Sequence, residues 1–555
     1  MESGAYSLDK RLNHLLETVI TEVKLYAENQ ISQIKRLTQI GTALSAEKNV
    51  NSLLDMIVEE ARKITRADAG SLYIVDPCAK NLKFAILQND TLNTRWGGTS
   101  ITSVKLPPIP LEQDEKPNYA NVASYVALTG QPVNIPDVYE SDIFDFTGPR
   151  TYDVSTGYRS KSMLVMPMKN HENDIIGVLQ LLNALDPECR EIIPFSGEYV
   201  DLIASLASQA AVALTNAQLI QDLQDLFYSF IKSIAMAIDA KSPYTGGHVR
   251  RVVDLALMLA AGINETHDGP FAGVCFNEDE IEELRLAAWM HDVGKITTPE
   301  HVIDKSTKLE TIFDRISLIE TRFDLIGQTI QNKYLQEKLR LLAANPDDRV
   351  GLSLLDRDLA EALDVLHDEK LFIAACNAPA ESLNPQKVTR LHEIARKSYE
   401  LNGERLPYLA PDELHHLAVP RGNLTSEERN LIENHAEMTI KILHALPFPK
   451  KFARVPEFAG GHHEKLDGSG YPRGLKGDQL PLQARIMAIA DVFEALTARD
   501  RPYKPPMRLS QALDILRYMT RDNHIDPDLF RLLVEKKLHR AYAERELNPE
   551  QIDEE

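Results

Sequence analysis

The chain has 555 residues, of which 43% are hydrophobic and 26% charged, as in an ordinary soluble protein of several globular domains. Its 61 Lys and Arg against 82 Asp and Glu give a formal net charge of −21, which argues against general binding to nucleic acid or to an anionic membrane. The four cysteines include no CxxC pair, which argues against a disulfide framework. Without an apolar signal core near the N-terminus, we expect a cytoplasmic protein.

An amphipathic helix is predicted over residues 8 to about 45. Its apolar residues recur every three or four positions from Leu8 to Tyr26. A stripe of this kind, with no domain around it, favours pairing with another helix, such as that of a second copy of the chain. We therefore treat 1–36 as a separate N-terminal helix and expect a homodimer.

Residues 37–217 predict a compact α+β domain. A helix leads into short β-type runs, among them SLYIVD, SMLVMPM and IIGVLQLLNA, and a second helix follows the last run. This order of helix, strands and helix favours an antiparallel sheet with flanking helices.

A long helix is predicted next, over residues 203–238. Its apolar seam runs from Leu219 to Ile234 with steps of three and four. Two interpretations remain open for this seam. It is either the core side of a helix in the next domain, or a signalling helix at 218–240 that joins two domains and pairs in a dimer.

From residue 228 to 545 helical patterns dominate, so we expect an all-α bundle. In this half, five histidines and two carboxylates lie on or at the ends of apolar helical segments: His248, His291, Asp292, His435, His462, His463 and Asp491. Such side chains are costly to bury unless they are paired or bound to a metal. Together they suit two metal ions with nitrogen and oxygen ligands.

The ligands divide into two sets that share one carboxylate. The first set comprises His248, His291, Asp292 and Asp491. The second comprises His435, His462, His463 and the other oxygen of Asp292. Two ions about 3.5–4 Å apart activate a water and hold the oxygens of a phosphate, so the pattern predicts phosphodiester hydrolysis.

Four motifs follow one another in order: HDVGK, HHEKLDGSGYPRGL, ARIMAIADVFEALT and DRPYK. They resemble the HD phosphohydrolase superfamily and, within it, the HD-GYP subfamily. The resemblance covers about 228–308 and 424–535. It implies hydrolysis of the bacterial second messenger cyclic di-GMP to pGpG, and in some members to GMP, at a centre of two or three metals, often iron or manganese.

The same resemblance implies roles for individual residues. Asp292 and Lys295 are the expected catalytic residues, and Lys295 also contacts a phosphate. Arg501 and Lys504 are expected to hold the other phosphate, and Tyr471 to contact the substrate. At position 244, where some members have a glutamate that binds a third metal, this chain has a tyrosine. We therefore expect two divalent ions, iron or manganese.

A long insert interrupts the family pattern at about 310–422. Its isoleucines and phenylalanine predict a heptad-like helix from Ile312, and the leucines at 355–366 offer it a partner. We expect a helical hairpin, which either caps the site, presents a surface to a partner, or is a passive decoration.

Residues 37–217 resemble a GAF domain, beginning with LTQIGTALSAEKNV and ending after VLQLLNA. The resemblance implies a sensor for a small molecule of unknown identity. Asn183, Phe195 and Glu198 partly match the motif of cyclic-nucleotide-binding members, but Ala184 stands in place of its lysine. No cyclic nucleotide is assigned on this basis, and a ligand-free dimerisation module is the alternative.

The combined hypothesis is a cyclic di-GMP phosphodiesterase regulated by its GAF domain. Two alternatives remain open. The first is a receptor that binds a cyclic dinucleotide without cleaving it. The second is an HD hydrolase that acts on another cyclic dinucleotide or on a nucleotide.

Overall fold

The computed structural model describes residues 10–76, 78–241, 247–379, 383–498 and 506–553. The chain divides into two compact units, Met1–Phe227 and Tyr228–Glu555, here called the N-terminal and C-terminal units. Each is described by itself below.

The N-terminal unit is built on an antiparallel sheet. The strands of this unit are β1 (Ala67–Asp76), β2 (Asn81–Asn89), β3 (Thr94–Gly97), β4 (Ile109–Pro110), β5 (Glu112–Gln113), β6 (Lys116–Pro117), β7 (Val133–Ile135), β8 (Met163–Lys169), β9 (Ile175–Leu185) and β10 (Ile192–Ile193). Strands β5 and β6 pair with each other in a separate small sheet. The main sheet has the order β3-β2-β1-β9-β8-β7, with β4 beside β2 and β10 beside β9. The helices that begin in this unit are α1 (Lys10–Ala46), α2 (Val50–Thr65), α3 (Val122–Thr129), α4 (Thr147–Thr156) and α5 (Gly197–Asp239).

Two apolar cores cover the two faces of this sheet. Successive residues of a strand point to opposite faces, so Leu72 of β1 joins the core beneath α2 and α5, whereas Tyr73 joins the core beneath α3. Strand β1 is therefore buried on both sides, which explains why SLYIVD reads as an almost continuous apolar run.

The C-terminal unit is mostly helical. Its helices are α6 (His248–Asn264), α7 (Glu278–Met290), α8 (Glu300–Ile303), α9 (Ile316–Ala344), α10 (Arg349–Asn377), α11 (Pro385–Ala395), α12 (Pro411–Leu417), α13 (Ser426–His444), α14 (Val455–Gly460), α15 (Leu482–Thr497), α16 (Leu509–Arg521), α17 (Pro527–Glu535) and α18 (Leu538–Glu546). The predicted fold class, an α+β domain with an antiparallel sheet followed by a helical bundle, is confirmed. The expectation of a strictly all-α second half is wrong at one place.

That place is a β-hairpin of β11 (Ser398–Leu401) and β12 (Glu404–Pro407) in the insert. Asn402 and Gly403 both have positive φ angles, 52° and 85°. An Asn-Gly pair in this conformation is a favoured two-residue hairpin turn, so the sequence did contain the signal.

Helices α9 and α10 pack against each other within the insert. Ile319, Phe323 and Ile326 of α9 share a buried core with Leu366 and Ile373 of α10. Helix α9 begins at Ile316, and not at Ile312 as the heptad pattern suggested; Ile312 precedes the helix and is 92% exposed.

Helix α5 is the one described helix whose length and mean hydropathy, 1.3, would suit a membrane span. Of that apolar window, 44% is buried inside the protein. Farther along α5, Leu219, Leu223, Leu226 and Phe230 are between 49% and 66% exposed. The homodimer and the cytoplasmic location stay predictions.

Candidate metal centre

Five segments of the C-terminal unit carry the predicted ligands. His248 opens α6, and His291 with Asp292 follows the end of α7. His435 lies within α13, the pair His462–His463 follows α14, and Asp491 lies within α15. The structure brings all seven predicted ligands to one place.

Three of the histidines share the same orientation. The Nδ1 atoms of His291, His435 and His462 lie 2.8, 2.5 and 2.6 Å from the carbonyl oxygen three residues earlier, that is, of Ala288, Ile432 and Ala459. With Nδ1–H donating to that carbonyl, Nε2 carries the lone pair that binds a metal. All three Nε2 atoms are buried without a hydrogen-bond partner.

Asp292 stands between two groups of imidazoles. Its Oδ2 lies 3.2 Å from Nε2 of His291 and 3.6 Å from Nε2 of His248. Its Oδ1, also buried without a hydrogen-bond partner, lies 3.4 Å from Nε2 of His435 and 3.9 Å from Nε2 of His462. Each oxygen therefore faces a different group, as a bridging carboxylate requires.

His248 is held by carboxylates on both ring nitrogens. Its Nε2 lies 3.3 Å from Oδ1 of Asp491, and its Nδ1 lies 2.5 Å from Oε2 of Glu494. Glu494 is completely buried and also accepts from Nε of Arg251 at 2.7 Å. The sequence motifs did not single out Glu494, although its position three residues after Asp491 places it on the same face of α15.

His463 completes the second group. Its ring centroid lies 4.0 Å from that of His462 and 5.0 Å from that of His435. The donor atoms of these three histidines lie within 4.8 Å of one another, as do those of His248, His291 and Asp292. On the outer side, the Tyr471 ring centroid lies 4.8 Å from that of His463.

The loop that carries Tyr471 is shaped by its neighbours. A Cβ atom at Gly470 would lie 2.4 Å from the backbone nitrogen of Lys465, so only glycine fits there. The buried Glu464 accepts hydrogen bonds from the backbone N–H groups of Arg473 at 2.7 Å and Leu475 at 2.9 Å. Glu464 was also missed at the sequence level, because one charged residue in HHEKLDGSGYP gives no sign of burial.

Packing between α13 and the HDVGK turn fixes the two groups relative to each other. Oγ1 of Thr439 donates to the carbonyl of His291 and accepts from the N–H of Gly294, both at 3.0 Å. A Cβ atom at Gly294 would lie 1.9 Å from the carbonyl oxygen of His435, so this close approach requires glycine. The next residue, Lys295, donates from Nζ to Oδ2 of Asp292 at 2.6 Å.

In the second group the protonation states also suit cation binding, whereas in the first group the neighbouring carboxylates outweigh burial and raise the pKa values of His248 and His291. Burial lowers the pKa values of His435 and His462, and it lowers the pKa of His463 to about 4. Burial opposes ionisation of Asp292, but Lys295 and the adjacent imidazoles hold the pKa of this carboxyl well below its usual range. Neutral imidazoles and an ionised carboxylate are the forms that bind divalent metals.

The residues therefore fit two metal ions. Leaving a buried polar atom without a partner costs roughly 1–3 kcal/mol, and four such atoms converge here: Nε2 of His291, His435 and His462, and Oδ1 of Asp292. A cation on each side of Asp292 would satisfy all four. Arg501 and Lys504, and also Tyr244, lie outside the described residues.

Models of two known domain families match parts of this chain. A GAF domain model matches residues 49–214, and HD domain models match residues 245–368 and 407–529. The predicted resemblance to GAF and HD proteins is thereby confirmed.

Curated relatives match about a fifth of this chain. The 3′3′-cGAMP-specific phosphodiesterase 3 of Vibrio cholerae is 45% identical over 114 residues, which are 20% of this chain and 23% of the relative. A probable cyclic di-GMP phosphodiesterase of the same species is 46% identical over 113 residues, 19% of this chain and 25% of the relative. The cyclic di-GMP phosphodiesterase response regulator RpfG of Xanthomonas campestris is 42% identical over 107 residues, 19% of this chain and 27% of the relative.

The chain thus spans about a quarter of the length of these relatives. Among solved structures, the GAF domain/HD domain protein from Geobacter sulfurreducens covers 32% of this chain and 98% of its own, with 18% identity and a TM-score of 0.23.

Proposed function

We propose that this chain, in which a GAF domain precedes an HD domain, is a metal-dependent phosphodiesterase of the HD-GYP type that hydrolyses cyclic di-GMP to pGpG. The observation that carries the proposal is the Asp292 carboxylate, whose two oxygens face two groups of imidazoles with buried, unpartnered nitrogens. Two divalent ions, iron or manganese, would supply water activation and charge neutralisation on the phosphate when bound.

Each group would hold one ion. His248, His291 and Asp491 would hold the first, and His435, His462 and His463 would hold the second. Asp292 would contribute to both. Glu494 orients the ring of His248, and backbone carbonyls of α7, α13 and α14 orient His291, His435 and His462, so these four rings are oriented before any ion arrives.

Lys295 and Tyr471 serve the substrate. The Lys295 side chain is 29% exposed while its ammonium touches Asp292, so it borders both the centre and solvent. There it balances the negative charge of a phosphate. Burial raises the pKa of Tyr471, which keeps its hydroxyl protonated as a hydrogen-bond donor at the rim. We assign the second phosphate of the dinucleotide to Arg501 and Lys504.

The GAF domain regulates the reaction in this proposal, through a ligand that fills a cavity of about 270 Å³. The cavity lies between the sheet, α3 and α4, and among the described residues that line it none carries a charge. Its polar groups include the buried pair Tyr73–Gln180, with Oη 2.8 Å from Oε1. An uncharged cavity does not suit the phosphate of a cyclic nucleotide, so we propose an uncharged small molecule here.

A second substrate deserves testing because three relatives from Vibrio cholerae are named as specific for 3′3′-cGAMP. The decisive assay incubates the full chain, loaded with Mn²⁺ or Fe²⁺, with cyclic di-GMP or 3′3′-cGAMP and separates the products by chromatography. We expect pGpG from cyclic di-GMP, and no product with Asp292→Ala. Cleavage of 3′3′-cGAMP alone would reassign the substrate, and binding without cleavage of either would make the chain a receptor.

A further inference from the structure

Lys241 lies at the end of α5, where its N–H donates to the carbonyl of Ile238 at 3.0 Å and continues the last helical turn. Its side chain reaches away from α5 to the segment that follows the HD doublet. Nζ donates to the carbonyl oxygens of Lys295 at 3.1 Å, Ile296 at 2.7 Å and Thr298 at 2.7 Å.

This contact uses the whole hydrogen-bonding capacity of the side chain. An ammonium group has three N–H donors and no acceptor, and here three carbonyls receive them. Hydrogen bonds from a charged donor are about twice as strong as neutral ones. The acceptors lie within and just after the 3₁₀ helix Val293–Thr297, and the carbonyl of Lys295 also accepts from the N–H of Thr298 at 3.1 Å.

The segment held in this way carries Lys295, whose ammonium lies 2.6 Å from Asp292. Its front end is fixed at Gly294 by Thr439, through the hydrogen bond at 3.0 Å. Its rear end is fixed by Lys241. The Thr439 contact joins the segment to α13, which carries His435, whereas the Lys241 contact joins it to the end of α5, which carries none of the seven predicted ligands.

We propose that Lys241 is a positioning residue that ties the end of α5 to the segment bearing Lys295, so that the state of α5 sets the position of Lys295 for catalysis. This inference rests on the proposed function. Helix α5 begins at Gly197, and its residues Leu206, Ala210 and Leu214 are buried in the core of the N-terminal unit. A change that withdraws the end of α5 would remove three hydrogen bonds from the segment at once.

The test uses the full chain with Lys241→Met, Lys241→Arg and the control Lys441→Met. Lys441 is an exposed lysine of α13 that pairs with Glu437 on the surface. Backbone hydrogen exchange is measured at 293–298 without metal, together with metal content, kcat and KM for cyclic di-GMP.

With Lys241→Met we expect exchange at 293–298 to rise about tenfold or more and kcat to fall about tenfold, with KM within about twofold and metal content unchanged. Lys241→Arg keeps the charge and several donors and is expected to restore most of kcat. Lys441→Met is expected to resemble the wild type in every measurement.

Exchange within about twofold of the wild type in Lys241→Met would overturn the proposal, whatever the activity. Faster exchange with unchanged kcat would overturn the link to catalysis. If the wild type does not cleave cyclic di-GMP, the proposed function fails alone, because hydrogen exchange still reports on the contact.

A matched pair of variants tests whether the end of α5 affects backbone exchange at 293–298. Ala237 and Ala204 are both exposed alanines of α5, the first near Lys241 and the second far from it in sequence. Glycine destabilises a helix interior. Ala237→Gly is expected to raise exchange at 293–298, and Ala204→Gly is not. Equal effects of the two variants, or none, would contradict transmission through the end of α5.

Discussion

At the residue scale, the backbone itself orients the ligands of the candidate centre. His291 and His462 lie one and two residues beyond the ends of α7 and α14, where carbonyl groups of the last turn have no partner within the helix. Each ring donates back to such a carbonyl, so the placement of a histidine just past a helix end directs its Nε2 inward. The sequence shows a histidine just beyond a predicted helix end, and this position determines the direction of its ring.

The Glu494→Gln variant tests the support of His248. The amide keeps the shape of the side chain but loses the charge that stabilises the ring and its tautomer. We expect metal affinity in the first group to fall about 10–100-fold, as measured by competition with a chelator. The matched control Glu437→Gln, on the exposed face of α13, is expected to leave affinity unchanged. Equal affinities in both variants would remove Glu494 from the centre.

The Gly294→Ala variant tests the close approach of the HDVGK turn to α13. Because the new methyl group would lie 1.9 Å from the carbonyl of His435, the backbones must separate. We expect the free energy of unfolding to fall by about 1–3 kcal/mol in urea titrations. At Gly273 an added Cβ meets no atom within 4 Å, so Gly273→Ala is the control. A Gly294→Ala protein as stable as this control would refute the packing argument.

At the element scale, an ion pair connects the two residues that flank the insert, Lys305 and Glu428. Nζ of the fully buried Lys305 side chain lies 2.7 and 2.8 Å from the two carboxylate oxygens of Glu428, across the whole insert. Glu428 also closes the capping box of α13, accepting from the N–H of Thr425 at 2.9 Å. One carboxylate therefore anchors the insert and begins the helix that carries His435.

The Glu428→Gln variant tests this anchor through its pH dependence. Burial opposes ionisation, but Lys305 and the cap lower the pKa of Glu428 below its value in the unfolded chain, which is about 4.3. Its contribution to stability is therefore present above that pH and is lost as the pH falls through the lower, folded-state pKa. In metal-free protein we expect the variant to be about 3 kcal/mol less stable at pH 7 and the difference to shrink in acid.

The measurement is urea unfolding of both proteins between pH 7 and pH 3. Glu437→Gln removes a carboxylate that pairs with Lys441 at the surface and serves as control, since exposed pairs contribute little. A stability difference that stays constant across this pH range would show that the charge of Glu428 does not contribute.

The helices in which apolar residues recur at a regular spacing were predicted from the sequence. The helix over 8–45 corresponds to α1, the long helix over 203–238 lies within α5, and the paired helices of the insert correspond to α9 and α10. Periodicity failed at Ile312, because an apolar residue before a helix continues the pattern without joining the fold. The β11–β12 hairpin was overlooked because its strands are short and its Asn-Gly turn stands among helical segments.

At the scale of the whole molecule, the candidate centre joins side chains that are far apart in the sequence, from His248 to Asp491. Residue type and helical context were enough to predict which side chains meet. They were not enough to predict the support of the centre, because Glu494, Glu464 and Thr439 act through burial and hydrogen bonding that one sequence does not display. Domain boundaries and the roles of Arg501 and Lys504 stay predictions.

Metal removal tests how the centre contributes to the stability of the chain. Only the C-terminal unit carries the donor groups found among the described residues, so a chelator is expected to lower the temperature of one calorimetric transition and leave the other in place. At a metal concentration of 100 times Kd, one site stabilises the fold by about 2.7 kcal/mol. In Asp292→Ala, we expect the chelator-dependent shift to be largely lost. A chelator that shifts both transitions equally would contradict a centre confined to the C-terminal unit.

The most direct test of the central claim is anomalous X-ray diffraction from crystals of the full chain grown with Mn²⁺. The two-sided placement of Asp292 predicts two peaks about 3.5–4 Å apart, one beside His248 and His291 and the other beside His435 and His462. A single peak, or none between these imidazoles, would contradict the account.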